Sequence, residues 1–173
     1  MDLLSRDHYS LPAGPDGNWM PPWNPIMTHR FVVALHGNRF VYTTRPTSEP
    51  SHPHGRKSRH LDIKVQQDCY IEIELANGPQ WHWAMSDAIT TGEPATHYFA
   101  LEYQTRGGWT TSPGSEECRV IRFGAHYDAA GLEDQPYAFN MNIELREDDG
   151  VVPFTIDPDI RNPGRVPLEG GDA

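Results

Sequence analysis

Two cysteines, Cys69 and Cys118, are all that the 173 residues contain, too few for a disulfide framework. Both sit at the edges of alternating apolar runs, where buried free thiols are common; a single bridge between them is the alternative. No apolar run reaches membrane-spanning length, and residues 1–8 lack the apolar stretch of a signal peptide, so the expected setting is the cytoplasm. A surplus of basic charge is missing too: the net charge of −10 and the isoelectric point near 5.2 disfavour a general nucleic-acid binder. Long helices have little room, because 15 Gly and 16 Pro break the chain often.

What remains reads as one β domain with appendages. Residues 1–28 form an arm in which Pro12, Pro15, Pro21, Pro22 and Pro25 favour extended backbone. Its Trp19, Met20, Trp23, Ile26 and Met27 are too apolar for a free tail, so it covers an edge of its own domain or crosses to a neighbouring subunit. Residues 29–163 are the domain, and 164–173 a flexible tail. The charge divides along the same lines, with seven basic and four acidic residues in 1–60 against seven and twenty in 61–173. A mildly basic front and an acidic body attract each other, within one chain or between copies, and salt weakens that attraction.

Within the domain the apolar residues recur with a period of two. Phe31-Val32-Val33-Ala34-Leu35 and Phe40-Val41-Tyr42-Thr43-Thr44 flank His36-Gly37-Asn38-Arg39, which predicts a hairpin. Leu61, Ile63 and Val65 alternate with polar neighbours, as do Cys69, Ile71, Ile73 and Leu75, and Phe139, Met141, Ile143 and Leu145. Further strands are predicted over 80–85, 96–103, 118–127 with a bulge at Gly124, and 151–156 after the turn Glu147-Asp148-Asp149-Gly150. About eight short strands at this spacing predict an all-β fold, an antiparallel β-sandwich of jelly-roll-like or immunoglobulin-like type.

The chemistry-bearing residues fall in three places. Residues 45–60 form a long polar loop holding His52, His54, Arg56, Lys57, Arg59 and His60. His52 and His54 have the spacing of a metal-binding pair and resemble the pair of the cupin enzymes, with His60 or His126 as a third ligand. Arg56 and Lys57 stand where a carboxylate should follow, so charge favours a solvated basic loop over a metal site. Arg56, Lys57 and Arg59 suit an anion, yet no Gly-rich phosphate fingerprint accompanies them. A contact with the acidic body or with a neighbouring copy is the favoured explanation for them.

Trp81-His82-Trp83 places both indoles on one strand face and the imidazole on the other, with Asp87 close behind. Flat aromatic faces beside carboxylate groups suit sugar rings, while burial against the opposite sheet is the structural alternative. Trp109, in the Gly-rich stretch Arg106-Gly107-Gly108-Trp109, is a ligand-contacting tip or a plug for one end of the sandwich. No Gly-x-Ser-x-Gly elbow, reactive cysteine context or EF-hand loop is present, so no catalytic residue is assigned.

The segment Phe154-Thr155-Ile156-Asp157-Pro158-Asp159-Ile160-Arg161-Asn162-Pro163 resembles the close of the AidA/PixA-type inclusion-body proteins and a related small bacterial β-sandwich group with an Asp-Pro ending. The preceding order is also similar: a Trp-containing strand, a polar stretch, then 96–103. This resemblance implies a β-sandwich, oligomerisation and, in some members, sugar binding, and it brings no catalytic residue. The expectation is therefore a non-enzymatic homo-oligomer that binds a small polar ligand such as a carbohydrate through Trp109 or residues 81–87, without a cofactor. Two alternatives stand beside it: a structural assembly protein whose arm docks on the next copy, and a metal-dependent cupin-like enzyme using His52 and His54.

Overall fold

The computed structural model describes residues 8–14, 27–44, 57–58, 61, 67–92, 97–126 and 138–156, with Lys57 and Ser58 described for their backbone alone. Among these residues there is no helix, and the strands form two sheets facing each other across one apolar interior. The period-two pattern is the cause. In the strand Cys69–Leu75, residues 69, 71, 73 and 75 are buried while 70, 72 and 74 are partly exposed.

The larger sheet is assembled from β2 (Met27–His36), β3 (Arg39–Thr44), β4 (Lys57–Ser58), β5 (Cys69–Leu75), β8 (Tyr98–Thr105), β9 (Gly108–Thr110) and β10 (Val120–Ala125), in the order β4-β3-β2-β5-β10-β8-β9. The smaller contains β1 (Tyr9–Ser10), β6 (Trp81–Trp83), β7 (Ile89–Thr91), β11 (Asn140–Glu147) and β12 (Gly150–Ile156). There β6 and β7 pair in succession with β11, and β12 pairs with β11 as a hairpin. The β2–β3 hairpin turns at Gly37-Asn38, where Gly37 takes a φ of 63°, the positive value that two-residue hairpins favour.

One pair departs from the antiparallel expectation. β2 and β5 run parallel, from Met27↔Cys69 to Val33↔Leu75. Parallel neighbours need a long crossover, and the stretch 45–68 separates β3 from β5. Part of that stretch, expected to be loop, returns as β4 beside β3. Leu61 is buried in the core, whereas the rest of the expected 61–65 strand lies outside the described residues.

Residues 8–14 of the arm lie on their own chain. β1 pairs with β7, and Ala100 N–H donates to the Pro12 carbonyl at 2.8 Å, so this short piece touches both sheets. The two layers are keyed by Tyr98, Phe123 and Phe139, whose rings meet edge to face at centroid distances of 5.1–5.6 Å.

Candidate functional site

At one end of the sandwich β5 leaves the larger sheet and residues 76–80 carry the chain across to β6 in the smaller one. Residues 118 and 119 stitch the two sheets there. Trp83 N–H donates to the Cys118 carbonyl at 2.9 Å, and Leu75 N–H donates to the Arg119 carbonyl at 2.8 Å. The Arg119 carbonyl also accepts the Trp83 indole N–H at 3.0 Å, while the Trp81 indole donates to Ala76 at 2.8 Å. Both indoles are thus fixed in the interior, their polar atoms satisfied by backbone.

The strand alternation then turns His82 to the other side of β6, opposite Glu144 of β11. It lines a cavity of about 300 Å³ together with Gly78, Pro79, Gln80, Trp81, Glu117, Arg119 and Arg146. His82 is only 3% exposed. Its Nδ1 lies 3.0 Å from the Trp83 carbonyl oxygen, which can only accept, so the neutral ring carries its proton on Nδ1. Glu144 Oε2 stands 3.5 Å from the same nitrogen. Nε2 is then left with a lone pair and has no hydrogen-bond partner among the described residues, its nearest polar neighbour being Glu117 Oε1 at 3.8 Å. Leaving a buried nitrogen unsatisfied costs free energy, which a bound ligand can recover.

Two guanidinium groups complete the cavity. Arg119 Nη2 donates to the carbonyls of Leu75, at 2.8 Å, and Ala76, so the group is held rigidly. Arg146 Nη2 forms an ion pair with Glu117 and is half exposed. The result is an orienting carbonyl behind an imidazole, two carboxylates beside it and two cations at the rim. Such a set can move a proton at Nε2 and hold an anionic group.

The residues singled out in the sequence fall in different places. His82 lies in this cavity, and Asp87 outside it. Asp87 is exposed with a φ of 52°, and its carbonyl accepts from Asn142 Nδ2 at 2.7 Å. Trp83 and Trp81 are core residues, with Trp81 closing the cavity wall. Trp109 belongs to β9 on the outer face of the larger sheet, where the Arg122 guanidinium lies 4.2 Å from its ring and 4.7 Å from that of Tyr70. Its face is thereby covered by a cation of its own chain. His52, His54, Arg56 and Arg59 lie outside the described residues, as does the side chain of Lys57. His126 meets Asp68 at 2.9 Å, and no group of three metal-ligating side chains occurs among the described residues.

The sequence pattern does not single out Glu117, Arg119 or Arg146 as site residues. Glu144 and Arg146 are legible only as the wet face of β11, and nothing local marks 117–119 as adjoining His82.

Fold and cavity together define a two-sheet β-sandwich with a histidine-centred, arginine-rimmed site at one end. The chain belongs to the family described as predicted novel nucleotide synthetase, whose model it matches over residues 26–165. No curated protein and no solved structure matches it. This membership corrects the resemblance to the AidA/PixA-type inclusion-body proteins. That likeness rested chiefly on a ten-residue segment rich in Asp and Pro, residue types that turn chemistry favours in many unrelated chains. The membership corrects equally the non-enzymatic, carbohydrate-binding reading and its structural-assembly alternative. Among the described residues no helix is long and apolar enough to cross a membrane.

Proposed function

We propose that the chain is an enzyme that forms a nucleotide product from a phosphate-bearing precursor, and that the His82 cavity is where it works. The family description supports the substrate class. The observation that carries the choice of site is the buried Nε2 of His82, without a hydrogen-bond partner among the described residues, in a side chain that lines a cavity together with Arg119 and Arg146. In the neutral ring Nε2 accepts a proton from an attacking group, and the Trp83 carbonyl keeps the tautomer that makes this available. The guanidinium groups hold phosphate oxygens, with Arg119 fixed in place before any ligand arrives. A volume of about 300 Å³ is at the low end for small-molecule sites, suited to the phosphate end of a nucleotide. The cytoplasm, where free thiols such as those of Cys69 and Cys118 stay reduced, is the setting this proposal adopts.

The test is incubation of the full chain with ATP, GTP, CTP and UTP in turn, with Mg²⁺, and separation of products by ion-pair chromatography with mass detection. His82→Asn, confirmed as folded by circular dichroism, is expected to lower the rate by about 10²- to 10⁴-fold. The reading falls if none of the four nucleotides is consumed or bound, or if the folded variant turns over as fast as the wild type.

A further inference from the structure

We infer that the Glu117 carboxylate holds the place of a phosphate group, so that His82 Nε2, Arg146 and Arg119 form a phosphate-class oxyanion site which the chain's own side chain fills when no ligand is bound. The inference deepens the nucleotide reading and rests on it.

Oε1 of Glu117 is ion-paired with Arg146 and lies 3.8 Å from His82 Nε2, so one oxygen faces both groups. It accepts from the guanidinium, but a carboxylate oxygen has no proton to offer the lone pair of Nε2, which keeps no hydrogen bond among the described residues. A phosphate group presents more oxygens than a carboxylate, spread tetrahedrally; as a species that keeps one P–OH it donates to the Nε2 lone pair while its other oxygens accept from the guanidinium groups. If His82 is protonated as the anion arrives, Glu144 at 3.5 Å from Nδ1 balances the imidazolium.

Exchange of one anion for the other is mechanically simple. Glu117 and Arg146 have side chains 38% and 55% exposed, and an ion pair so open to water is weakly held. The backbone on either side is bonded: the Cys118 carbonyl accepts from Trp83 N–H at 2.9 Å, and Glu116 N–H donates to the Pro113 carbonyl at 3.2 Å. Only the Glu117 side chain has to swing out. Arg119 is anchored on the Leu75 and Ala76 carbonyls and lines the cavity throughout.

The probe is inorganic tripolyphosphate, titrated calorimetrically into the wild type, Glu117→Gln and Arg146→Ala, with ATP and GTP titrated in parallel and each variant checked by circular dichroism. Removing the internal anion is expected to tighten tripolyphosphate binding about tenfold, and Arg146→Ala to weaken it about tenfold, each the effect of roughly one charge-assisted contact. If folded Glu117→Gln binds tripolyphosphate no better than the wild type while a nucleotide still binds or turns over, the inference is overturned and the nucleotide reading stands. If neither tripolyphosphate nor any nucleotide binds to any of the three proteins, both fall.

Discussion

At the scale of single residues, burial sets what Cys69, Tyr42 and Tyr103 can do. Each is held neutral, with its ionisation pushed up to about 12 by desolvation; the neighbouring Asp68 adds to the effect at Cys69. In the unfolded chain these groups ionise near their ordinary values of 9 for the thiol and 10 for the phenols. The folded state therefore binds more protons than the unfolded one between pH 9 and pH 12, and stability declines with rising pH across that window. Below pH 9 this contribution is fully present. Urea titrations at pH 8, 9.5 and 11 are expected to show a loss of roughly 1–3 kcal/mol per group by pH 11. A stability unchanged over that range would refute the account. Residue identity also makes half of the site visible: the alternation in Trp81-His82-Trp83 is enough to separate the imidazole from the indoles. Which of the two faces meets the core follows from what lies opposite, and the short sequence does not contain that.

At the scale of elements, β10 shows how a single glycine shapes a strand. Its register against β8 shifts between Arg122 and Gly124, but the extra residue lies on β8, where Ala100 takes a φ of 54°, and β10 itself runs unbroken against β5. The bulge that the sequence pattern predicts at Gly124 thus falls on the strand opposite. The reason for glycine is steric. A Cβ at position 124 would lie 2.6 Å from Phe99 Cε2, and Phe99 is itself buried. Gly124→Ala is expected to destabilise the fold by about 1–3 kcal/mol, the usual cost of overfilling a packed interior. Pairing it with Phe99→Leu, which vacates the ring, should cost less than the two single changes added together, as denaturant midpoints would show. Strict additivity would mean that the ring is not what excludes the methyl group. The outer face of the same sheet carries a row that periodicity could not specify: Glu102, Arg122, Glu72 and Arg30 stand side by side on β8, β10, β5 and β2. Arg122 Nε meets Glu102 at 2.7 Å and Arg30 Nε meets Glu72 at 3.3 Å. Wet positions are legible strand by strand, but their order across the sheet depends on the parallel β2–β5 pair.

At the scale of the whole molecule, stability depends on what joins the two layers. Phe139 leads into β11 of the smaller sheet and meets Phe123 of the larger one at 5.1 Å and Tyr98 at 5.5 Å. Phe139→Ala would empty this junction and is expected to cost about 3–5 kcal/mol, with thermal denaturation as the measure. A loss below about 1 kcal/mol would show that the layers are joined elsewhere.

The sequence by itself determined that the chain would be strands rather than helices, where most strands run, and, in alternating strands such as β5, which residues face inward. Those properties are local: a period of two, frequent Gly and Pro, and turn residues at hairpin ends act within a few positions of one another. Only the tertiary structure decided that His82, Glu117, Arg119, Glu144 and Arg146 share one end of the sandwich. Their meeting depends on the crossing of 76–80 between sheets and on the bonds that carry 118 and 119 to both, and such long-range contacts leave no periodic trace in the chain.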